Sequence, residues 1–171
     1  MYMLDASLIW RPNFRRGGLY MGGFPHDPLD IASRDFGLLV ICAREVLDAL
    51  GEPSEQETAD TYGCTTLHAP FDDAELTPDV DARALRAADV VVSVLRGGGK
   101  ALVTCNQGRN RSGLVAGMAL LRLLPDLNGP QVVEMIKTRR AAPCGQVALT
   151  NDDFRERLAS WPLAGWRRKS G

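Results

Sequence analysis

Cys105 and Arg111 are two side chains whose types and spacing could do chemistry together. Five residues separate them, Asn106, Gln107, Gly108, Arg109 and Asn110, and Ser112 and Gly113 follow. A thiol activated as its thiolate is a strong nucleophile, and a guanidinium is a planar, permanently charged fork that fits two oxygens of a phosphate. The flanks suit that pairing. The apolar run 101–103 reads as a buried strand, and 114–124, apolar except at Arg122 and free of proline, reads as a buried helix. A loop that joins a strand to a helix N-terminus gathers backbone N–H groups around one point, which makes an anion site. The stretch 101–113 therefore predicts a nucleophile aimed at a phosphate.

A cysteine at a strand end is ordinarily just a small buried apolar residue, so the context has to separate the two readings. Six positions after Cys42, Cys64 and Cys144 stand Asp48, Pro70 and Thr150, none of which could grip an anion as arginine does. Only Cys105 has a strand before it, a glycine within its loop and a helix after it.

The elements that must position this stretch follow from periodicity. Short strands are expected at 7–10, 19–21, 36–43 and 64–68, with Gly17, Gly18, Gly22 and Gly23 supplying turns. The Leu-Leu-Val-Ile run at 38–41 is typical of a strand covered on both faces. A loop holding His26 occupies 24–28, a helix is expected at 44–50 before Gly51, and the acidic 52–60 reads as a solvated loop or short helix. Thr77-Pro78-Asp79 reads as an N-cap, a proline at the first helical position and an acid in the first turn. The helix it opens carries Val80, Ala84, Ala88, Val91, Val92 and Leu95 on one stripe. Further helices are expected at 131–140, with Lys137, Arg139 and Arg140 offsetting its C-terminal dipole, and from Thr150 or Asn151 onward, with Phe154, Leu158 and Trp161 inward. Strands alternating with helices predict an α/β fold: a central, mostly parallel sheet of about four to five strands flanked by helices.

Composition narrows the class. The 171 residues suit one domain over 1–171, and a net charge of −1 gives no global pull toward nucleic acid or a membrane surface. The first residues lack the basic start and apolar run of a secretory signal, and apolar runs fall short of a bilayer span. Four irregularly spaced cysteines without any Cys-x2-Cys pair fit reduced thiols in the cytoplasm and predict no metal site.

Cys105-x5-Arg111-Ser112-Gly113 resembles the loop of the cysteine-dependent protein phosphatases, most closely the compact dual-specificity type. The likeness reaches beyond the loop. Leu19-Tyr20-Met21-Gly22-Gly23 resembles that family's early strand and turn, and 38–45 its second strand region. Ala69-Pro70-Phe71-Asp72-Asp73 resembles its general-acid loop, and Asn151 with Phe154 the start of its C-terminal helix. The acid precedes the cysteine in the chain, unlike the order in low-molecular-weight phosphatases, and arsenate reductases keep the loop near the N-terminus. One departure is that the family usually has histidine before the cysteine, and Thr104 stands here. Its hydroxyl can hydrogen-bond backbone but supplies no charge.

The resemblance implies a mechanism and its residues. Cys105 is the nucleophile and forms a phosphocysteine. Arg111 and the backbone N–H groups of Asn106, Gln107, Gly108, Arg109, Asn110 and Arg111 hold the phosphoryl oxygens, and Ser112 eases the thiolate's departure. Asp73 is the general acid, with Asp72 its rival, and the family's acid sits at the later position of such a loop. Asn151 caps its helix or positions the hydrolytic water. Some members protect the nucleophile by a reversible disulfide, which makes Cys42–Cys105 a candidate pair. The implied function is a protein phosphatase for phosphotyrosine, with phosphoserine and phosphothreonine as further substrates. It would need no cofactor and have a phosphorylated protein as partner. The alternatives are a phosphatase of a phosphoinositide or an RNA 5′-phosphate, and a weakly active phospho-ligand binding module.

Overall fold

The computed structural model describes residues 4–12 and 17–161. In chain order the elements are β1 (Ala6–Trp10), β2 (Gly18–Gly23), α1 (Pro28–Ala32), β3 (Leu38–Ile41), α2 (Arg44–Ala49), α3 (Glu55–Tyr62), β4 (Thr65–His68), α4 (Pro78–Arg96), β5 (Lys100–Cys105), α5 (Arg111–Leu123), α6 (Gly129–Cys144) and α7 (Asp152–Ala159). The five strands form one sheet in the order β1-β2-β5-β3-β4. β1 runs antiparallel to β2, and β2, β5, β3 and β4 are parallel, as the alternation of strands and helices predicts. The basic stretch Trp166-Arg167-Arg168-Lys169, which reads as a tail, lies outside the described residues.

β5 holds the centre. Ala101, Leu102 and Val103 are fully buried, as is every residue of β3 beside them. A strand covered on both faces can afford no polar side chain without a partner, and Thr104 has one: its Oγ1 donates to the Val40 carbonyl at 2.8 Å. α5 is buried from Arg111 to Leu121, so the helix behind the loop is fixed on all sides. α4 lays Ala84, Ala88, Val91, Val92 and Leu95 inward along the expected stripe. Its N-cap Thr77 accepts from the Val80 N–H at 3.3 Å, with Pro78 in the first turn.

Three details differ from the sequence-based expectation, and one open reading is decided. Residues 28–32 form α1, opened by Asp27 as N-cap and Pro28, the same signal that opens α4. Of the two readings open for 52–60, the helix holds: Ser54 and Glu57 make a reciprocal capping box at the start of α3. Gly18, Gly22 and Gly23 lie within β2 rather than in turns. A Cβ on Gly22 would come 1.8 Å from the Asp5 carbonyl oxygen, so close backbone approach, not a turn, requires the glycine. Arg140 does not face a helix end. It is completely buried, and its guanidinium donates to Asp5 Oδ1 at 3.0 Å and Oδ2 at 3.2 Å, to Ser7 Oγ at 3.1 Å and to the Met21 carbonyl at 3.3 Å. That ion pair ties α6 to β1 and β2.

Candidate active site

The parallel strands β3 and β5 end side by side, and the site is built at those C-terminal ends, where ligands of open α/β sheets bind. Cys105 is the last residue of β5 and Arg111 the first of α5. Between them the loop turns at Gly108, whose φ is +62°. A Cβ there would stand 2.2 Å from the Gly22 carbonyl carbon, so the loop is pressed onto the end of β2 and only glycine fits. A bridge between Gly23 and Gln107 completes that seam. No side chain caps α5 at its N-terminus, which leaves its first N–H groups to a ligand.

The structure brings Cys105, Asp73 and Arg111 to one cleft of about 220 Å3, walled otherwise by the loop residues Asn106, Gln107, Arg109 and Asn110. Cys105 Sγ lies 3.3 Å from Ser112 Oγ. Asp72 borders a neighbouring hollow with Arg44 and Thr77 instead. Both carboxylate oxygens of Asp73 accept from amides: Oδ2 from Asn110 Nδ2 and Oδ1 from Asn151 Nδ2, each at 3.0 Å. Asn151 does cap α7, accepting from the Phe154 N–H at 3.2 Å, and its amide also reaches the Ala74 carbonyl at 2.9 Å. Of the two roles weighed for Asn151, capping is seen, and a link to Asp73 and Ala74 is added to it. Among the described residues no group of three or more His, Cys, Asp or Glu side chains is placed to hold a metal ion.

Sequence reasoning missed Glu45. This carboxylate, in the first turn of α2, accepts from both terminal nitrogens of Arg111; the Nη1–Oε2 bond is 2.7 Å and the second joins Nη2 to Oε1. Nη1 also lies 3.4 Å from the Phe71 carbonyl. The hydrogen bond from Arg111 holds the Glu45 carboxyl below the usual range against the opposing effect of burial, and the same bond raises the guanidinium. Arg111 Nε is buried and has no partner. The available signal was positional: an acid just past the end of the strand next to β5 is where a loop arginine needs its counter-ion. Cys42 directly follows the same strand. Its N–H donates to the Thr104 carbonyl at 2.9 Å, and the β3–β5 register, Ile41 opposite Thr104, carries on to set Cys42 beside Cys105. Burial, with Cys105 close by, pushes the Cys42 thiol well up.

A mostly parallel sheet ending in a Cys-x5-Arg loop, with the Asp73 loop upstream, defines the cysteine-dependent phosphatase class in its dual-specificity form. Solved structures share this fold. Kinase associated phosphatase (KAP) superposes with a TM-score of 0.74 at 20% identity over 94% of each chain. Human DUSP28 gives 0.63 at 24% identity over 87% of this chain and 92% of its own. Residues 30–133, more than half the sequence, match the family model of cyclin-dependent kinase inhibitor 3 (CDKN3), and the chain belongs to that family. Cyclin-dependent kinase inhibitor 3 of Rattus norvegicus is 27% identical over 127 residues, 72% of this chain. The match spans 59% of that relative's own length.

Proposed function

We propose that this protein hydrolyses phosphate monoesters on phosphoproteins, phosphotyrosine foremost, with phosphoserine and phosphothreonine as further substrates. One observation carries the reading: Cys105, Asp73 and Arg111 line one cleft, where Arg111 Nε is buried without a protein partner. A buried donor without an acceptor costs free energy, about 1–3 kcal/mol, and a phosphoryl oxygen in the adjoining cleft would recover it. Glu45 meanwhile occupies the two terminal nitrogens and fixes the plane of the fork. The relatives' names, a cyclin-dependent kinase inhibitor and a kinase associated phosphatase, support a phosphoprotein as substrate.

The chemistry runs in two displacements. The Cys105 thiolate attacks phosphorus, an S–P bond forms as the ester P–O bond breaks, and Asp73 gives its proton to the departing oxygen. The loop N–H groups and Arg111 hold the equatorial oxygens as charge redistributes. Water then attacks the phosphocysteine, Asp73 takes back a proton, and the S–P bond breaks with Ser112 donating to the leaving thiolate. Thiols unpaired at Cys42, Cys64 and Cys105 support work in a reducing compartment such as the cytoplasm. No helix among the described residues is long and apolar enough to cross a membrane.

The test is hydrolysis of an aryl phosphate and of phosphopeptides, phosphoinositides and triphosphate-ended RNA by wild type and Cys105→Ser. Turnover of phosphopeptides that the substitution abolishes is expected. Wild type no better than Cys105→Ser on every substrate overturns the enzyme reading, and a preference for inositide or RNA overturns the substrate class.

A further inference from the structure

We propose that Asn110 is a positioning residue for the proton donor: it fastens Asp73 to the phosphate loop, so that nucleophile, anion site and acid are set as one unit. The proposal rests on the phosphatase reading and on Asp73 as its acid. Its ground is a set of four hydrogen bonds. Asn110 Oδ1 accepts from the Thr150 N–H at 2.8 Å, the Thr150 hydroxyl at 3.1 Å and the Asn151 N–H at 3.2 Å. An amide oxygen that takes three donors leaves no freedom to exchange with its nitrogen, so Nδ2 must face Asp73, and it donates to Oδ2 at 3.0 Å.

The segment 147–151 is built to hold that amide. Arg109 Nε donates to the Val147 carbonyl at 2.8 Å, and the Leu149 N–H donates to the Arg109 carbonyl at 3.2 Å. Leu149 adopts φ +54°, a left-handed conformation that costs a non-glycine residue about 1–2 kcal/mol. It is held there with its side chain fully buried, so close to Gly113 that a Cβ on the glycine would meet Leu149 Cδ2 at 2.8 Å. Strain of this kind persists where the surroundings over-determine it, as at sites that must be preorganised. The loop half next to Arg111 is thus sewn to 147–151, and both Asn110 and Asn151 reach from that seam to the acid. Asn110 is the member that belongs to the phosphate loop itself.

Formation of the phosphocysteine needs the acid only where the leaving oxygen needs a proton, and kcat/KM reports that step without the later hydrolysis, in which Asp73 acts as base. The experiment compares kcat/KM on phenyl phosphate, whose phenoxide must be protonated, with kcat/KM on dinitrophenyl phosphate, whose leaving group departs without a proton. Asn110→Ala and Asn110→Ser are measured, alone and in the Asp73→Asn background. Asn110→Ser brings no charge into the anion site and has no amide to donate to Asp73, so it tests the role even where Asn110→Ala fails to fold. Both substitutions are expected to lower kcat/KM on phenyl phosphate by about 10- to 100-fold and on dinitrophenyl phosphate by a far smaller factor. In the Asp73→Asn background neither should lower kcat/KM on phenyl phosphate further. Equal losses on the two substrates, or losses that persist without Asp73, overturn the proposal. If Asp73→Asn is itself blind to the leaving group, the acid assignment fails, and if wild type matches Cys105→Ser, the phosphatase reading fails; either result takes the proposal with it.

Discussion

Glu45 engages both terminal nitrogens of Arg111 across 66 positions of sequence, while the Nε of the same guanidinium stays buried and unpartnered. The pair divides the fork into a side that is fixed and a side that is free. Replacing the carboxylate releases the fixed side. Glu45→Gln keeps one acceptor and loses the charge and the second, so the fork can swing out of register with the loop. A misplacement of about an ångström costs on the order of 100-fold. We expect kcat/KM on an aryl phosphate to fall about 10- to 100-fold, with the fold intact by circular dichroism. Unchanged kinetics would show that loop packing alone holds Arg111.

The same pair gives stability a pH dependence. Hydrogen bonding by Arg111 lowers the Glu45 carboxyl in the folded protein, against an unfolded value of about 4.3. The folded state therefore binds its proton less readily than the unfolded chain. The pair's contribution is complete above that unfolded value and is lost as pH falls through the lowered folded one. Because Glu45 is half exposed, solvent screens the effect and keeps it modest. Melting temperatures of wild type and Glu45→Gln should differ most near neutrality and converge below about pH 4. A gap that is constant across this range would remove the ion pair as its cause.

How much of this was legible depends on whether the signal was local. The Leu-Leu-Val-Ile run of β3, the Thr77-Pro78 opening of α4 and the strand-loop-helix around Cys105 are read from neighbours within a few residues, and those elements are found as expected. Contacts between distant segments leave no period to read. Glu45 with Arg111, Asn110 with Thr150 and Thr104 Oγ1 with the Val40 carbonyl are set by which strand lies beside which. Thr104 shows how a missing histidine is accommodated: the hydroxyl satisfies itself within the sheet, in a position with no exposed surface. Gly22 looked like a turn because sequence does not reveal that Asp5 crosses it.

Arg140 is the clearest error of that kind, and it yields a stability prediction. A residue that only offsets a helix dipole from the surface contributes a few tenths of a kcal/mol. A fully buried guanidinium paired with Asp5 and bonded to Ser7 and Met21 is another matter, since removing one side of a buried pair costs about 3–5 kcal/mol. Asp5 is partly exposed and can be rehydrated, which favours the lower end. Urea unfolding should show Arg140→Ala destabilised by about 3 kcal/mol. Arg139→Ala, at an exposed position of the same helix, should stay within about 0.5 kcal/mol. Similar values for the two would restore the dipole reading.

Cys42 and Cys105 supply the last prediction. Neighbouring strands lie about 4.8 Å apart, within the Cα separation a disulfide spans. Peroxide would oxidise the Cys105 thiolate to a sulfenic acid, releasing water from the reduced peroxide. Attack by Cys42 sulfur would then form the disulfide, its proton leaving with the sulfenic oxygen as a second water. Burial beside Cys105 raises the Cys42 thiol, so its thiolate fraction at neutral pH is small and the second step is slow. The intermediate should accumulate: a dimedone adduct on Cys105 forms first, and a Cys42–Cys105 peptide appears later, faster at pH 9 than at pH 7. Without dimedone, Cys42→Ser should drive Cys105 on to the sulfinic acid and abolish recovery by dithiothreitol. Full recovery in Cys42→Ser, or no linked peptide from wild type, would mean that the two sulfurs, though adjacent, do not protect each other.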